Sequence, residues 1–338
     1  MTQEWITQLA SSGLAADGRS FGALAAELAA ARDGVVVAPL TDHGLIRASG
    51  EDAAPFLHNL LTNDVQGILP GGARFAGLCT AKGRLLALFL VWRDGDDFLL
   101  MLPRDILPPI LKKLSMYVLR SKVKLSDASG ERALIGFSSS TGALPAPGID
   151  ASLPRFGVAK LNGGQAIRLD DTRWLLAIEA GAAAAHWQTL ATTATPVGLA
   201  AWQWLEVAAG QPRVVAATQE AFVPQMLNME LPAVAGVSFS KGCYPGQEIV
   251  ARTQYLGKVK RRTYRARLAS AVASGTHVYA PETGDQHCGA IVSVAPSPAG
   301  SFECLVCVQI GAVEAGEVRV GAPDGERLEF LPLPYEIS

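Results

Sequence analysis

From Lys258 onward the sequence reads almost entirely as short β-strands. They are cut by turn signals at Glu282-Thr283-Gly284-Asp285, Pro296 to Gly300, Glu314 to Glu317 and Pro323-Asp324-Gly325. Regular short strands with this punctuation predict a small closed or sandwich β domain. Upstream the pattern differs, because strand and helix periodicities alternate irregularly. With 338 residues the chain is long for one domain and fits two or three.

Val35 to Pro39 and Gly44 to Ser49 read as strands around a turn at Thr41-Asp42-His43-Gly44. Phe56, Leu57, Leu60 and Leu61 have helical spacing, and Asn63-Asp64 ends that helix. Phe75 to Thr80, Gly83 to Trp92 and Phe98 to Leu102 read as strands, with a hairpin turn at Asp94-Gly95-Asp96-Asp97. Arg104 to Leu119 is predicted as a helix with Pro108-Pro109 in its first turns. Ala133 to Ile178 is a second strand-rich unit, and Ala180 to Ala194 and Ala200 to Ala209 return to helix.

Hydrophobic residues make up 49% of the chain and charged residues 18%, enough apolar surface for each domain to bury a core. The net charge of −2 argues against a protein that coats nucleic acid non-specifically. Met1 to Leu14 carries Glu4 and no early basic cluster, and the Ala-rich Phe21 to Ala31 is interrupted by Glu27. The first does not look like a targeting segment, and the second reads as an amphipathic helix, not as a signal core or membrane span. Five cysteines are few for this length and odd in number, which predicts free thiols in a reducing, cytoplasmic compartment.

The most informative stretch is Lys241-Gly242-Cys243-Tyr244-Pro245-Gly246-Gln247-Glu248. Pro245 suits the first position of a helix, with Gln247-Glu248 in its first turn and Gly257 as its stop. Cys243 then falls at or just before a helix N-terminus, where backbone N–H groups and Lys241 favour a reactive thiolate. Gly242 and Gly246 would let the backbone approach a ligand. Spacing alone slightly favours the other reading, a small buried cysteine in a tight turn whose glycines only serve geometry.

This octapeptide resembles the hallmark of the YgfZ family. So do Ser49-Gly50-Glu51-Asp52-Ala53 with Thr62-Asn63-Asp64-Val65, and Ala81-Lys82-Gly83-Arg84 before a hydrophobic strand. Glu206 to Gly210, Phe222-Val223-Pro224-Gln225 and Asn228 match the run leading into the octapeptide. The resemblance covers most of residues 35 to 335. It implies an α+β fold like the glycine-cleavage T protein, a three-domain ring with a C-terminal β-barrel. The implied division is 1–130 plus 200–257 as a folate-binding core, 131–199 as an α+β middle domain, and 258–338 as the barrel.

The same resemblance implies binding of tetrahydrofolate or another reduced folate. It also implies support of iron–sulfur client enzymes, with an indirect effect on tRNA modification. Glu206 matches the glutamate that pairs with the pterin, a task suited to a carboxylate because it accepts two parallel N–H bonds. Lys241, Gly242, Tyr244, Gly246, Gln247 and Arg252 are the further candidate folate-binding residues, and Cys243 is the candidate reactive thiol. The chain departs from the T protein where Ala87 and Leu88 stand in place of its acids, and where Pro103 replaces a folate-holding asparagine. Aminomethyltransferase activity is therefore not expected. Asp94, Asp96 and Asp97 are expected to be solvated.

Other patterns weigh less. Cys304 and Cys307 are three apart in a strand, so their thiols point to opposite faces, and no metal site is predicted. Lys258, Lys260, Arg261, Arg262, Arg265 and Arg267 form a basic cluster with Tyr255 and Tyr264. It reads first as a solvated strand face, and alternatively as a docking surface for a folate polyglutamate tail or tRNA. His43, His58 and His186 fall in no recognisable pattern.

Overall fold

The computed structural model describes residues 3–146, 149–255, 257 and 259–337; Lys258 of the basic cluster lies outside them. Its contacts group into two compact units. The first comprises residues 1–54, 67–74 and 90–205, and the second 55–66, 75–89 and 206–338. The 131–199 stretch falls wholly in the first unit and 258–338 wholly in the second.

In the first unit a six-stranded sheet runs in the order Thr195–Pro196, Val35–Pro39, Arg132–Ser139, Arg173–Glu179, Gly164–Arg168, Val158–Leu161. Alternation sorts its side chains. Val37, Ile135, Phe137, Trp174, Leu176 and Ile178 share one face and pack with Trp5 and Trp187 from two helices. The other face meets helix Leu199–Ala208: a side chain at Gly136 would come within 2.5 Å of the Trp202 indole. Glu27 Oε2 accepts from Gly198 N at 2.8 Å just before that helix. These contacts fix the helix that carries Glu206 at its far end.

A second sheet runs Ala73–Cys79, Leu85–Asp94, Asp97–Pro103, His43–Ser49, Lys124–Asp127. Leu85 to Trp92 is buried throughout, so this strand reads as a continuous apolar run without alternation. Ala87 and Leu88 lie within it, 0% and 6% exposed.

Three sequence expectations change here. The helix expected over Arg104 to Leu119 is a 3₁₀ turn Arg104–Ile106 followed by an α-helix Leu107–Met116. It stops because the chain turns, with Leu119 in the left-handed region at φ 43°. Ala180 to Ala194 contains a shorter helix, Ala183–Leu190, after a 3₁₀ turn. Asp94 and Asp97 are not solvated, because Arg47 and Arg132 claim them. Arg132 Nη2 lies 2.8 Å from both Asp94 oxygens, and Arg47 donates to Asp94 at 2.9 Å and Asp97 at 3.0 Å.

In the second unit the seven-stranded sheet runs Glu326–Arg327, Arg319–Val320, His277–Tyr279, His287–Pro296, Phe302–Gln309, Arg261–Leu268, Glu329–Leu331. The two edge strands are joined by Leu328 alone, so the antiparallel sheet curls until its edges nearly meet. Cys304, Val306 and Val308 enter its core with Cys288, while Cys307 lies between Val306 and Val308 on the strand's other face. Four arginines of the basic cluster lie on this sheet, and three of them are paired with acids. Arg262 is buried against Glu230 and the Gln225 carbonyl. Arg265 donates to Glu303 at 2.9 Å and Arg267 to Glu329 at 3.1 Å. Arg262 is therefore a core residue and not part of a docking surface.

Burial works against ionisation of Asp94, but hydrogen bonds from Arg132 and Arg47 prevail and hold its carboxyl below the usual range. A depressed folded pKa contributes stability above the unfolded value, and that stability is lost as pH falls through the folded value. Asp94→Asn should cost about 2 kcal/mol at neutral pH. In urea unfolding the difference should shrink below about pH 4. A pH-independent difference would assign the loss to packing.

Candidate functional site

The octapeptide is held by a hairpin. Thr80 and Arg84 close the turn between strands Ala73–Cys79 and Leu85–Asp94, with Thr80 N donating to Arg84 O at 2.8 Å. Gly83 and Gly246 both have positive φ, 69° and 83°. A side chain on Gly246 would strike the Thr80 carbonyl and Gly83, and one on Gly83 would begin 3.0 Å from Ile249 Cβ. The Ala-Lys-Gly-Arg block and the octapeptide therefore meet backbone to backbone.

The helix begins at Gln247, two residues later than Pro245 suggests, and runs to Tyr255. Pro245 and Gly246 form a turn instead, because Gln247 N donates to Tyr244 O and Gln247 Oε1 accepts from Tyr244 N, both at 3.1 Å. Gly257 N donates to Arg252 O at 2.9 Å and caps the far end. Cys243 thus stands four residues upstream of the first helical residue and not at the helix N-terminus. It is exposed, and the other four cysteines are buried. Burial pushes the Cys79, Cys304 and Cys307 thiols up to about 12.

Lys241 is half-buried, and its ammonium is committed to the protein. Nζ donates to His58 O at 2.6 Å and Leu61 O at 2.9 Å, at the C-terminus of helix Ala53–Leu60 where cations are favoured. It also lies 4.6 Å from the centre of the buried Tyr244 ring. Burial lowers Lys241 to about 8, while Asp64 and Cys243 pull it back up.

Two residues that the sequence did not single out for the site join this cluster, His58 and Asp64. His58 Nδ1 is 3.1 Å from Asp64 Oδ1, off hydrogen-bond alignment. Its Nε2 is 3.8 Å from where a side chain at Gly242 would begin. Burial and then Lys241 lower His58, opposed by Asp64. Asp64 belongs to the Thr62-Asn63-Asp64-Val65 block, which is the one signal the sequence offered.

The remaining blocks converge as well. Thr62 Oγ1 donates to Gly236 O at 2.6 Å and accepts from Gly77 N at 2.7 Å. Asn63 Nδ2 donates to Phe75 O and Ala235 O. Leu85 N donates to Phe222 O, and Glu220 N to Leu85 O, each at 2.8 Å. Gln225 Nε2 donates to Val250 O at 2.7 Å, and Asn228 Nδ2 to Thr263 O at 2.8 Å.

Glu206 is 3% exposed at the end of its helix. Its Oε2 lies 3.3 Å from Arg213 Nη1, a partner the sequence did not single out. Arg252 is exposed on the helix Gln247–Tyr255. Among the described residues no group of three or more His, Cys, Asp or Glu is set to hold a metal ion. Among the described residues no helix is long and apolar enough to cross a membrane.

A mixed six-stranded sheet, a five-stranded sheet, flanking helices and a nearly closed antiparallel sheet define a T-protein-like α+β fold. The solved structure of glycine cleavage system aminomethyltransferase T from Bartonella henselae is similar over 97% of this chain and 96% of that one, with a TM-score of 0.77. At 16% identity that likeness shows the fold alone. The tRNA-modifying protein YgfZ of Photobacterium profundum is 33% identical over 250 residues, 73% of this chain and 72% of that protein. That of Serratia proteamaculans is 27% identical over 307 residues, 88% and 92% of the two chains. The chain belongs to the YgfZ family. It matches no family model.

The glycines of the octapeptide should separate in a thermal melt. Gly246→Ala should cost roughly 2 kcal/mol or more, because φ and the Thr80 carbonyl both oppose a side chain. Gly242→Ala, with only His58 Nε2 nearby, should stay within about 0.5 kcal/mol of the parent. Equal losses would show that the backbone contact is not what shapes the loop.

Proposed function

We propose that this chain binds tetrahydrofolate or another reduced folate and serves as an accessory protein for assembly or repair of iron–sulfur enzymes, acting on tRNA modification indirectly. The observation that carries the folate reading is the buried Glu206 carboxylate beside Arg213. A carboxylate next to a guanidinium offers acceptor and donor together. That pairing suits the amino and oxo groups on the pyrimidine edge of a pterin. The residues therefore fit the group. A bound reduced folate would supply a one-carbon carrier. This chain's own residues would orient its ring and exclude water from it.

The printed name of the relatives, tRNA-modifying protein, supports a link to tRNA. Two observations argue against other readings. Ala87 and Leu88 are buried apolar residues and cannot move a proton, which disfavours aminomethyl transfer. Arg262 is spent on Glu230, and the neighbouring Arg265 and Arg267 on Glu303 and Glu329, which removes Arg262 from the cluster Lys258, Lys260, Arg261, Arg262 considered for tRNA docking. Within the octapeptide, Lys241, Tyr244, Gly246 and Gln247 shape the loop, and Gly242, Cys243 and the nearby Arg252 are open to a ligand.

Calorimetric titration with tetrahydrofolate tests the folate reading. Glu206→Ala should weaken binding at least tenfold, about the worth of a hydrogen bond to a charged group. No heat as the ligand approaches millimolar would remove folate, and equal affinity in the variant would remove Glu206.

Cys243 is proposed as the reactive thiol of the accessory role. Timed alkylation at neutral pH with peptide mapping should label Cys243 ahead of Cys79, Cys288, Cys304 and Cys307. Cys243→Ser should keep fold and folate affinity yet lose iron–sulfur support in a deletion strain. Full rescue by that variant would return Cys243 to a structural turn.

A further inference from the structure

Lys112 to Lys124 carries five cations, Lys112, Lys113, Arg120, Lys122 and Lys124, and no acid, in a chain whose net charge is −2. Lys112, Arg120, Lys122 and Lys124 are exposed. Lys122 reaches Glu51. The other four have no acidic partner within 4.0 Å among the described residues. This contrasts with the strand Arg261–Leu268, where three of the arginines are paired.

Large apolar side chains stand among these cations. Met116 is 61% exposed, Tyr117 40% and Leu119 88%. The loop that presents them is well fixed. Asp52 Oδ2 accepts from Lys122 N at 2.7 Å, and the Ser121 and Val123 amides each close a turn at 2.8 Å. Leu119 is nevertheless held at φ 43°, a left-handed conformation unfavourable for leucine, with its side chain in water. Folding stability favours neither feature, and such strain concentrates at functional positions. Asp52, Tyr117, Leu119, Arg120 and Ser121 line an open recess of about 700 Å³.

We infer that this face binds a single-stranded nucleic acid. One or two unstacked bases lie against Tyr117 and Leu119 in the recess, and the flanking phosphates meet Lys112, Lys113, Arg120 and Lys124. Bases stack on aromatic faces whatever their sequence, and phosphates recurring along one strand call for a run of cations. A duplex keeps its bases stacked and would leave the recess empty. An acidic amphipathic helix needs a continuous apolar groove, which three side chains around one turn do not make. This inference is independent of the folate reading.

Fluorescence anisotropy with the full chain and a labelled RNA of about 12 nucleotides, between about 50 and 200 mM salt, is the test. The single strand should bind at least about tenfold tighter than the same sequence as a duplex. The log–log salt slope should be about −3, for four phosphates released from a single strand. Lys112→Gln with Lys113→Gln should flatten that slope by about 1 or more, and Tyr117→Ala should weaken binding about tenfold at unchanged slope. Leu119→Gly separates strain from stability: its melting temperature should hold or rise while RNA binding weakens at least about threefold. Three results would overturn the inference. The first is no binding at about 100 μM protein in low salt. The second is equal affinity for duplex and single strand. The third is complete displacement of RNA by phosphatidylglycerol vesicles together with an unaffected Tyr117→Ala, which would mark an unspecific polyanion surface.

Discussion

The second unit depends on a place where two backbones come too close for side chains. Gly246 lies against the Thr80 carbonyl and Gly83, and both glycines adopt positive φ. That contact sets the octapeptide on the hairpin, and the loop's direction follows from it. Between Leu227 and Gln247 the chain has no helix or strand, so it cannot satisfy its polar groups through a ladder. Backbone turns between Pro224 and Gly236 do part of it, and side chains tie the loop to its neighbours. Thr62 bridges Gly77 and Gly236, Asn63 bridges Phe75 and Ala235, and Lys241 caps helix Ala53–Leu60. A loop tied in this way can still hold residues in solvent.

Cys243 is one of its exposed residues, with Pro232, Ser240 and Gly242. Its exposure contrasts with the four other thiols, buried where ionisation is penalised. Around it stand Lys241, Asp64 and His58: burial lowers Lys241 and His58, Lys241 lowers His58 further, and Asp64 opposes both shifts. Buried charges elsewhere in the unit come in pairs, Glu206 with Arg213 and Glu230 with Arg262. An unpaired charge at such depth would be costly. The two pairs differ in place: Glu230–Arg262 joins a loop to the nearly closed sheet, and Glu206–Arg213 sits at the end of a helix.

The fold is shared with an aminomethyltransferase at 16% identity, which illustrates how weakly architecture constrains chemistry. Strand Leu85–Asp94 shows why the two can diverge. Its burial requires apolar or well-paired residues, and Ala87 and Leu88 meet that requirement without any acid. The scaffold survives the change because packing, and not the reacting group, holds the strand.

Much of this was legible in the sequence. The regular strands after Lys258, the irregular mixture before it, and the opposed faces of Cys304 and Cys307 follow from side-chain periodicity, which is local. The octapeptide and its companion blocks were also visible as motifs. Their meeting was not, because the partners of Gly246 are more than 160 residues away. The same distance hid His58 beside Lys241, and Arg213 was missed because pairing across a helix end depends on the turn that follows it. The expected surface character of Asp94 and Arg262 failed for one reason. Sequence fixes a residue's charge, but only the tertiary structure decides whether an opposite charge reaches it before water does.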